Sequence, residues 1–199
     1  MSSSTEICNS ALIKLGQERI SSLSESNKRA RLCNEQYSKL RDSRLQSHYW
    51  NFAMARAQLS LVSGSPEFGF DYRYQLPTDC LKAVHLNDKT ARFKVEENAY
   101  VHTNLVEAEL LYVKKITDES KYSPMFRELL AYDIAIDLCT ALTQKRTLKQ
   151  DLIAERKEFL RDVRSADGQE GTNDQLMSDT WLESRWGDPT GDYGYEDGI

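Results

Sequence analysis

The chain has 199 residues, of which 40% are hydrophobic, 29% charged and 10% aromatic, a balance typical of a soluble protein with one main hydrophobic core. No run of residues comes near the roughly 18 apolar positions of a membrane-spanning helix, and the N-terminus has neither the basic start nor the apolar stretch of a signal peptide. The sequence therefore argues against a membrane protein and a secreted one, and its four widely separated cysteines predict reduced thiols in a reducing compartment.

Charge divides the chain near residue 166. Residues 167–199 hold nine acidic residues against Arg185 alone, together with six of the nine glycines, while residues 1–166 carry a net charge of +3. This change of composition predicts a folded body, residues 1–166, followed by a flexible acidic C-terminal tail, residues 167–199.

Two amphipathic helices are predicted before residue 50. The first follows Ser3 and Glu6, which have the spacing of a capping box, and its apolar stripe stops at Gly16. The second runs from about Asn27 to His48, with apolar side chains at three- and four-residue steps.

A β-region is predicted at about residues 53–116. From Ala55 apolar and polar residues alternate with a period of two, and turn-forming residues separate the later candidate strands. Those strands are residues 72–76, 83–86, 92–95, 100–103 and 109–116. Their spacing of about ten residues indicates an antiparallel sheet or a small barrel and leaves no room for the helices of parallel βαβ units.

Helical periodicity returns after residue 122. Ser123 and Pro124 are predicted to cap and open a third helix, and Thr147 with Gln150 predicts a capping box for a fourth helix that ends near Ala166. The predicted fold class is α+β. It is a four-helix body, from helices at about 4–50 and 123–166, with an inserted antiparallel β-sheet region and an extended acidic C-terminal tail.

The sequence lacks the patterns of common catalytic, cofactor and metal sites, and we expect none of them. His48, His85 and His102 have no second ligand-type residue at helical spacing, and there is no P-loop, nucleophile elbow or glycine-rich dinucleotide turn. Carboxylates such as Glu96 and Glu107 keep one enzymatic alternative open, because glycoside hydrolysis uses two carboxyl groups across a cleft.

A basic cluster on the second helix raises a nucleic-acid alternative. Lys28, Arg29 and Arg31 are interspersed with acidic residues, and the whole chain has a net charge of -5. This mixture favours a solvated helix face or a protein interface over a DNA-binding site.

Aromatic residues fall into three groups with different expected roles. Trp50 and Phe52, where helix gives way to strand, are predicted to form a buried plug. A second group has too many rings for one loop to bury and predicts a subunit or partner contact: Phe68, Phe70, Tyr72 and Tyr74. The tail holds anchors that a purely solvating segment would not need, which predicts binding to a partner: Trp181, Leu182, Trp186, Tyr193 and Tyr195.

Taken in order, several short segments resemble the tail adaptor, or tail tubular protein A, family of short-tailed bacteriophages. They are residues 6–12 (EICNSAL) with 15–16 (LG), 50–53 (WNFA), 74–81 (YQLPTDCL), 117–118 (TD) and 122–126 (YSPMF). Taken in order, these segments span most of residues 1–166. The resemblance rests on their order, their spacing and the length of the chain together.

The resemblance implies a structural virion protein of the tail, made in the host cytoplasm and placed at the portal vertex of the capsid. It implies a homo-oligomeric ring, typically a dodecamer, that joins the portal protein to the tail nozzle protein and lines the channel through which DNA passes. It also implies no cofactor and no catalytic residues, and a C-terminal segment that reaches the portal. The enzymatic alternative, in this setting, is a tail-associated cell-wall (peptidoglycan) hydrolase, and a third is a DNA-binding packaging accessory.

Overall fold

The computed structural model describes residues 3–64 and 66–170, and the observed fold is the predicted α+β arrangement. Helices α1 (Ser4–Lys14) and α2 (Lys28–Gln46) precede the β-region, and α3 (Pro124–Thr143) and α4 (Arg146–Gln169) follow it. The described residues form seven strands: β1 (Met54–Gln58), β2 (Ser60–Leu61), β3 (Tyr72–Gln75), β4 (Cys80–Leu86), β5 (Phe93–Glu96), β6 (Tyr100–Thr103) and β7 (Glu109–Lys114). None of the described helices is long and apolar enough to cross a membrane.

The other three helices pack around α3, which contacts each of them. Eight of its side chains are buried, among them Phe126, Leu130 and Ile134. Its N-terminus is capped as predicted, because the Ser123 hydroxyl accepts the N–H of Phe126 and Pro124 stands in the first turn. Three of the four free cysteines, Cys8, Cys33 and Cys139, are buried in this helical core as small apolar side chains.

The predicted helix boundaries hold for α1 and α2 but not for α4. The reciprocal bonds of the Ser3–Glu6 capping box are present, and Asn27 caps α2. The capping box predicted at Thr147 is wrong, because α4 already begins at Arg146 and its N-cap residue makes no side-chain bond. Gln144 adopts a left-handed conformation with φ 57°, which reverses the chain within two residues and starts α4 earlier than the capping pattern suggests.

The β-region forms two antiparallel sheets that share a second hydrophobic core. The first sheet has the strand order β1-β7-β4 and the second has β2-β3-β6-β5. The chain passes from β1 to β2 through Leu59, whose N–H donates to the Ala108 carbonyl, so the two sheets are joined along this side. Side chains from both sheets meet in the core between them, including Tyr74, Val101 and Leu110. We call the two sheets together the β-lobe.

Only the first sheet of the β-lobe packs on the helices. Val113 of β7 belongs to the helical core, and Met54 of β1 packs against it, whereas no residue of the second sheet joins that core. The second sheet therefore lies away from the helical body, as expected for an insertion that projects from a helix bundle.

Candidate assembly surfaces

An aromatic cluster joins the helical body to the β-lobe. Trp50 is only 1% exposed, and its ring lies 5.2 Å from that of Phe126 and 6.3 Å from that of Phe52, measured between centroids. Its indole N–H donates to the Arg44 carbonyl at 3.0 Å, and Tyr122 packs on both phenylalanines. The expectation that Trp50 and Phe52 form a plug is confirmed, because the rings fill the space where α2 ends and β1 begins.

The end of α4 is fastened to this same junction. Asp167 is 9% exposed, and its carboxylate accepts the N–H of Asn51 at 3.1 Å and lies 3.4 Å from Nε2 of His48. The Asn51 side chain in turn donates to the Asp167 carbonyl. Burial lowers the pKa of His48. The negative charge of Asp167 raises this pKa, and the positive charge of Arg164 lowers it further. The boundary placed at residue 166 therefore falls inside the helix, because Asp167 belongs to the body and not to an acidic tail.

The four aromatic residues predicted to make a subunit or nozzle contact occupy different environments. Phe68 is 87% exposed in the loop between β2 and β3, and Phe70 lies edge-on to His102 at 6.3 Å. Tyr72 is half-buried beside Tyr74, but Tyr74 is only 2% exposed and its hydroxyl donates to the Leu105 carbonyl at 2.7 Å. Including Tyr74 in the contact group was wrong, since its ring is part of the β-lobe core.

Two exposed apolar side chains that sequence reasoning missed lie next to Tyr74. Leu61 is 60% exposed and stands opposite Tyr74 in the β2–β3 ladder, while Val106 is 70% exposed and its carbonyl accepts the Tyr74 hydroxyl. The loops that carry Phe68 and Val106 meet at one end of the second sheet, where the Asp71 N–H donates to the Asn104 side chain at 3.1 Å. We call Leu61, Phe68 and Val106 the lobe-tip patch.

Charged pairs cover the helical body, and the basic cluster of α2 takes part in them. Arg44 donates twice to Asp133 of α3, at 2.5 and 2.6 Å. Lys28 donates to the Ala141 carbonyl at 2.9 Å, and Arg29 pairs with Glu18 at 3.0 Å. Two members of the basic cluster thus make contacts within the chain, which argues against a dedicated DNA-binding site on this face.

Glu96, one of the two carboxylates considered for hydrolysis, does not have the raised pKa of a general acid. Glu96 pairs with Lys94 at 2.8 Å and lies 3.8 Å from His102, and the hydrogen bond from Lys94 lowers its pKa. A general acid for glycoside cleavage needs a raised pKa. Glu107 is exposed in the loop between β6 and β7. Within the described residues, no three histidine, cysteine, aspartate or glutamate side chains are grouped to hold a metal ion.

The predicted portal-binding residues, Trp181, Leu182, Trp186, Tyr193 and Tyr195, lie outside the described residues. Comparison of the chain with protein-family models and with curated proteins finds no match.

Proposed function

We propose that the protein is a structural subunit of the head-to-tail adaptor ring of a short-tailed bacteriophage. In this role it joins the portal protein to the tail nozzle protein, and the ring, a dodecamer in the family it resembles, forms part of the DNA ejection channel. It acts without a cofactor and contacts DNA only as the genome passes through.

The observation that carries the proposal is the lobe-tip patch, placed on the sheet that packs away from the helical body. Leu61, Phe68 and Val106 are all more than half exposed. Leu61 pairs with Tyr74, whose hydroxyl donates to the Val106 carbonyl, and the loops that carry Phe68 and Val106 are joined by the hydrogen bond from Asp71 to Asn104. An apolar patch of this kind is typical of a protein interaction site. A subunit that links two partners needs separate contact surfaces, and in this proposal the C-terminal segment that follows the helical body makes the second contact.

The resemblance of the segments between residues 6 and 126 supports the same function. In the structure two of them have structural roles at the body: residues 6–12 lie in α1, and residues 50–53 form the aromatic junction. The helices carry charges of both signs, which suits modest lateral contacts between subunits, so we expect a free monomer that closes into a ring only on the portal.

The test uses capsids that carry the portal but lack adaptor. The purified protein should be monomeric alone and should form rings on these capsids, visible by electron microscopy. Removing residues 171–199, or replacing Trp181 and Trp186 with alanine, should prevent attachment. Phe68→Ser should leave portal attachment intact and reduce nozzle binding. A stable ring formed without portal, or attachment unchanged by the deletion, would contradict the proposed assembly order or the proposed role of the C-terminal segment.

A further inference from the structure

The two sheets of the β-lobe are joined on one side and open on the other. On the closed side β1 continues into β2, but on the open side, among the residues that the structure describes, β4 is paired only with β7 and β5 only with β6. Strands β4 and β5 are therefore the free edges of the two sheets, and they face each other across a gap. A barrel with such a gap lacks one strand, and free strand edges are templates for pairing with another segment.

A hollow of about 470 Å³ occupies this gap. Its lining is mostly apolar and includes Leu76, Cys80, Leu81, Ala83, Phe93 and Val95. Lys82 is the charged residue of the lining, which contains no carboxylate. An occupant with apolar side chains and negative charge would match both the walls and the lysine.

The last described helix ends close to this hollow. Asp167 of α4 lies 3.4 Å from Nε2 of His48, which directly precedes Tyr49 in the chain. Lys82 also stands over the Tyr49 ring at 4.5 Å, and Gln46, which lines the hollow too, donates to the Leu81 carbonyl at 2.9 Å. The chain therefore leaves the body beside the opening of the hollow.

We infer that residues 171–199 of the same chain dock in the gap between β4 and β5. This stretch has seven acidic residues against one arginine and carries two tryptophans and two tyrosines. At about 3.3 Å per residue its 29 positions reach far beyond the short path from Asp167 to the hollow. An aromatic side chain fills the hollow, the acids face Lys82, and the backbone completes the open edge. In the free subunit, the docked segment is then not available to a second partner.

Cys80 provides a natural probe of the occupant. It is half-buried in the lining, whereas the other three cysteines are buried in the helical core. A tethered segment binds at an effective concentration on the order of millimolar, so a site with a Kd of about 0.1 mM is occupied about ten times as often as it is empty. Labelling of Cys80 by a maleimide, followed by mass spectrometry of the Cys80 peptide, measures this protection.

The experiment compares the intact chain with a variant in which Trp181, Trp186, Tyr193 and Tyr195 are all replaced by serine. We expect Cys80 to react about tenfold faster in this variant, while the far-ultraviolet circular dichroism spectrum stays the same and the Tm falls only by the small amount that loss of the docked segment implies. Phe68→Ser, which removes an exposed aromatic ring elsewhere, serves as the matched control and should leave the rate unchanged. Adding Lys82→Glu to both chains should bring their two rates together, and this comparison cancels any direct effect of residue 82 on the thiol.

Two results would overturn the inference. Equal Cys80 rates in the intact chain and the four-serine variant would show that these residues do not cover the hollow. Protection that disappears on tenfold dilution of the protein would assign the occupant to a second copy and not to the same chain.

Discussion

Replacing Trp50 with alanine tests whether the aromatic junction holds the helical body and the β-lobe together. The side chain is 1% exposed and contacts the rings of His48, Phe52 and Phe126, so its removal leaves a large cavity. Truncations of buried tryptophan cost about 3–5 kcal/mol of unfolding free energy. For a chain of this size that corresponds to a decrease in Tm of about 6–20 °C.

The assay is thermal and urea unfolding followed by far-ultraviolet circular dichroism, which does not depend on tryptophan emission. Trp50→Phe keeps a ring in the cluster but removes the N–H that the Arg44 carbonyl accepts, and it should cost only about 1–2 kcal/mol. Phe68→Ala removes an exposed ring and should change stability by less than about 0.5 kcal/mol. If Trp50→Ala unfolds like the parent protein but no longer binds a partner, the residue belongs to an interface and the reasoning from burial is wrong.

Two further predictions concern charged groups of the body. Arg44→Ala should lower the free energy of unfolding by about 2–4 kcal/mol, because it leaves the largely buried Asp133 without its main partner. Arg29→Ala breaks an ion pair on the exposed surface and should cost at most about 0.5 kcal/mol. Urea unfolding of the two variants compares these costs. For His48, burial keeps the pKa of the folded state below its ordinary value of 6.5, so the unfolded chain takes up the proton more readily. The stability that His48 contributes is present above pH 6.5 and is lost as the pH falls below it. His48→Gln should therefore lose less stability than the parent between about pH 7.5 and about pH 5.5, and equal losses would refute the shift.

The elements that sequence reasoning placed correctly are those specified by neighbouring residues. Capping at Ser3, Asn27 and Ser123 depends on residues within one turn, and the period-two pattern marks most of the strands. The environment of Tyr74 depends instead on the distant loop at Leu105, to which its hydroxyl is bonded. Nothing in the aromatic run itself separates a ring that faces the β-lobe core from one that faces solvent.

The gap between β4 and β5 could not be predicted from the sequence either. Periodicity located both strands but gave no information on which strands pair, and an antiparallel sheet and a small barrel remained equally compatible with the spacing. The observed order leaves β4 and β5 as free edges, although they are consecutive in the chain. The residues that line the hollow, Cys80 among them, come from separate segments that only this strand pairing brings together. They therefore share no sequence motif.

The boundary of the folded body can be tested by two truncations that differ by four residues. Counting charges placed the end of the body at residue 166, but Asp167 accepts the Asn51 N–H and contacts His48 at the junction. A chain that ends after residue 166 loses this carboxylate and leaves a partly buried N–H without an acceptor, at a cost of about 1–3 kcal/mol. A chain that ends after residue 170 keeps every described contact of Asp167. Thermal unfolding should therefore show a lower Tm for the shorter chain, and Asp167→Ala in the longer chain should account for most of the difference. Equal Tm values would show that the contacts of Asp167 do not stabilise the end of α4, and the body would then end where composition alone places it.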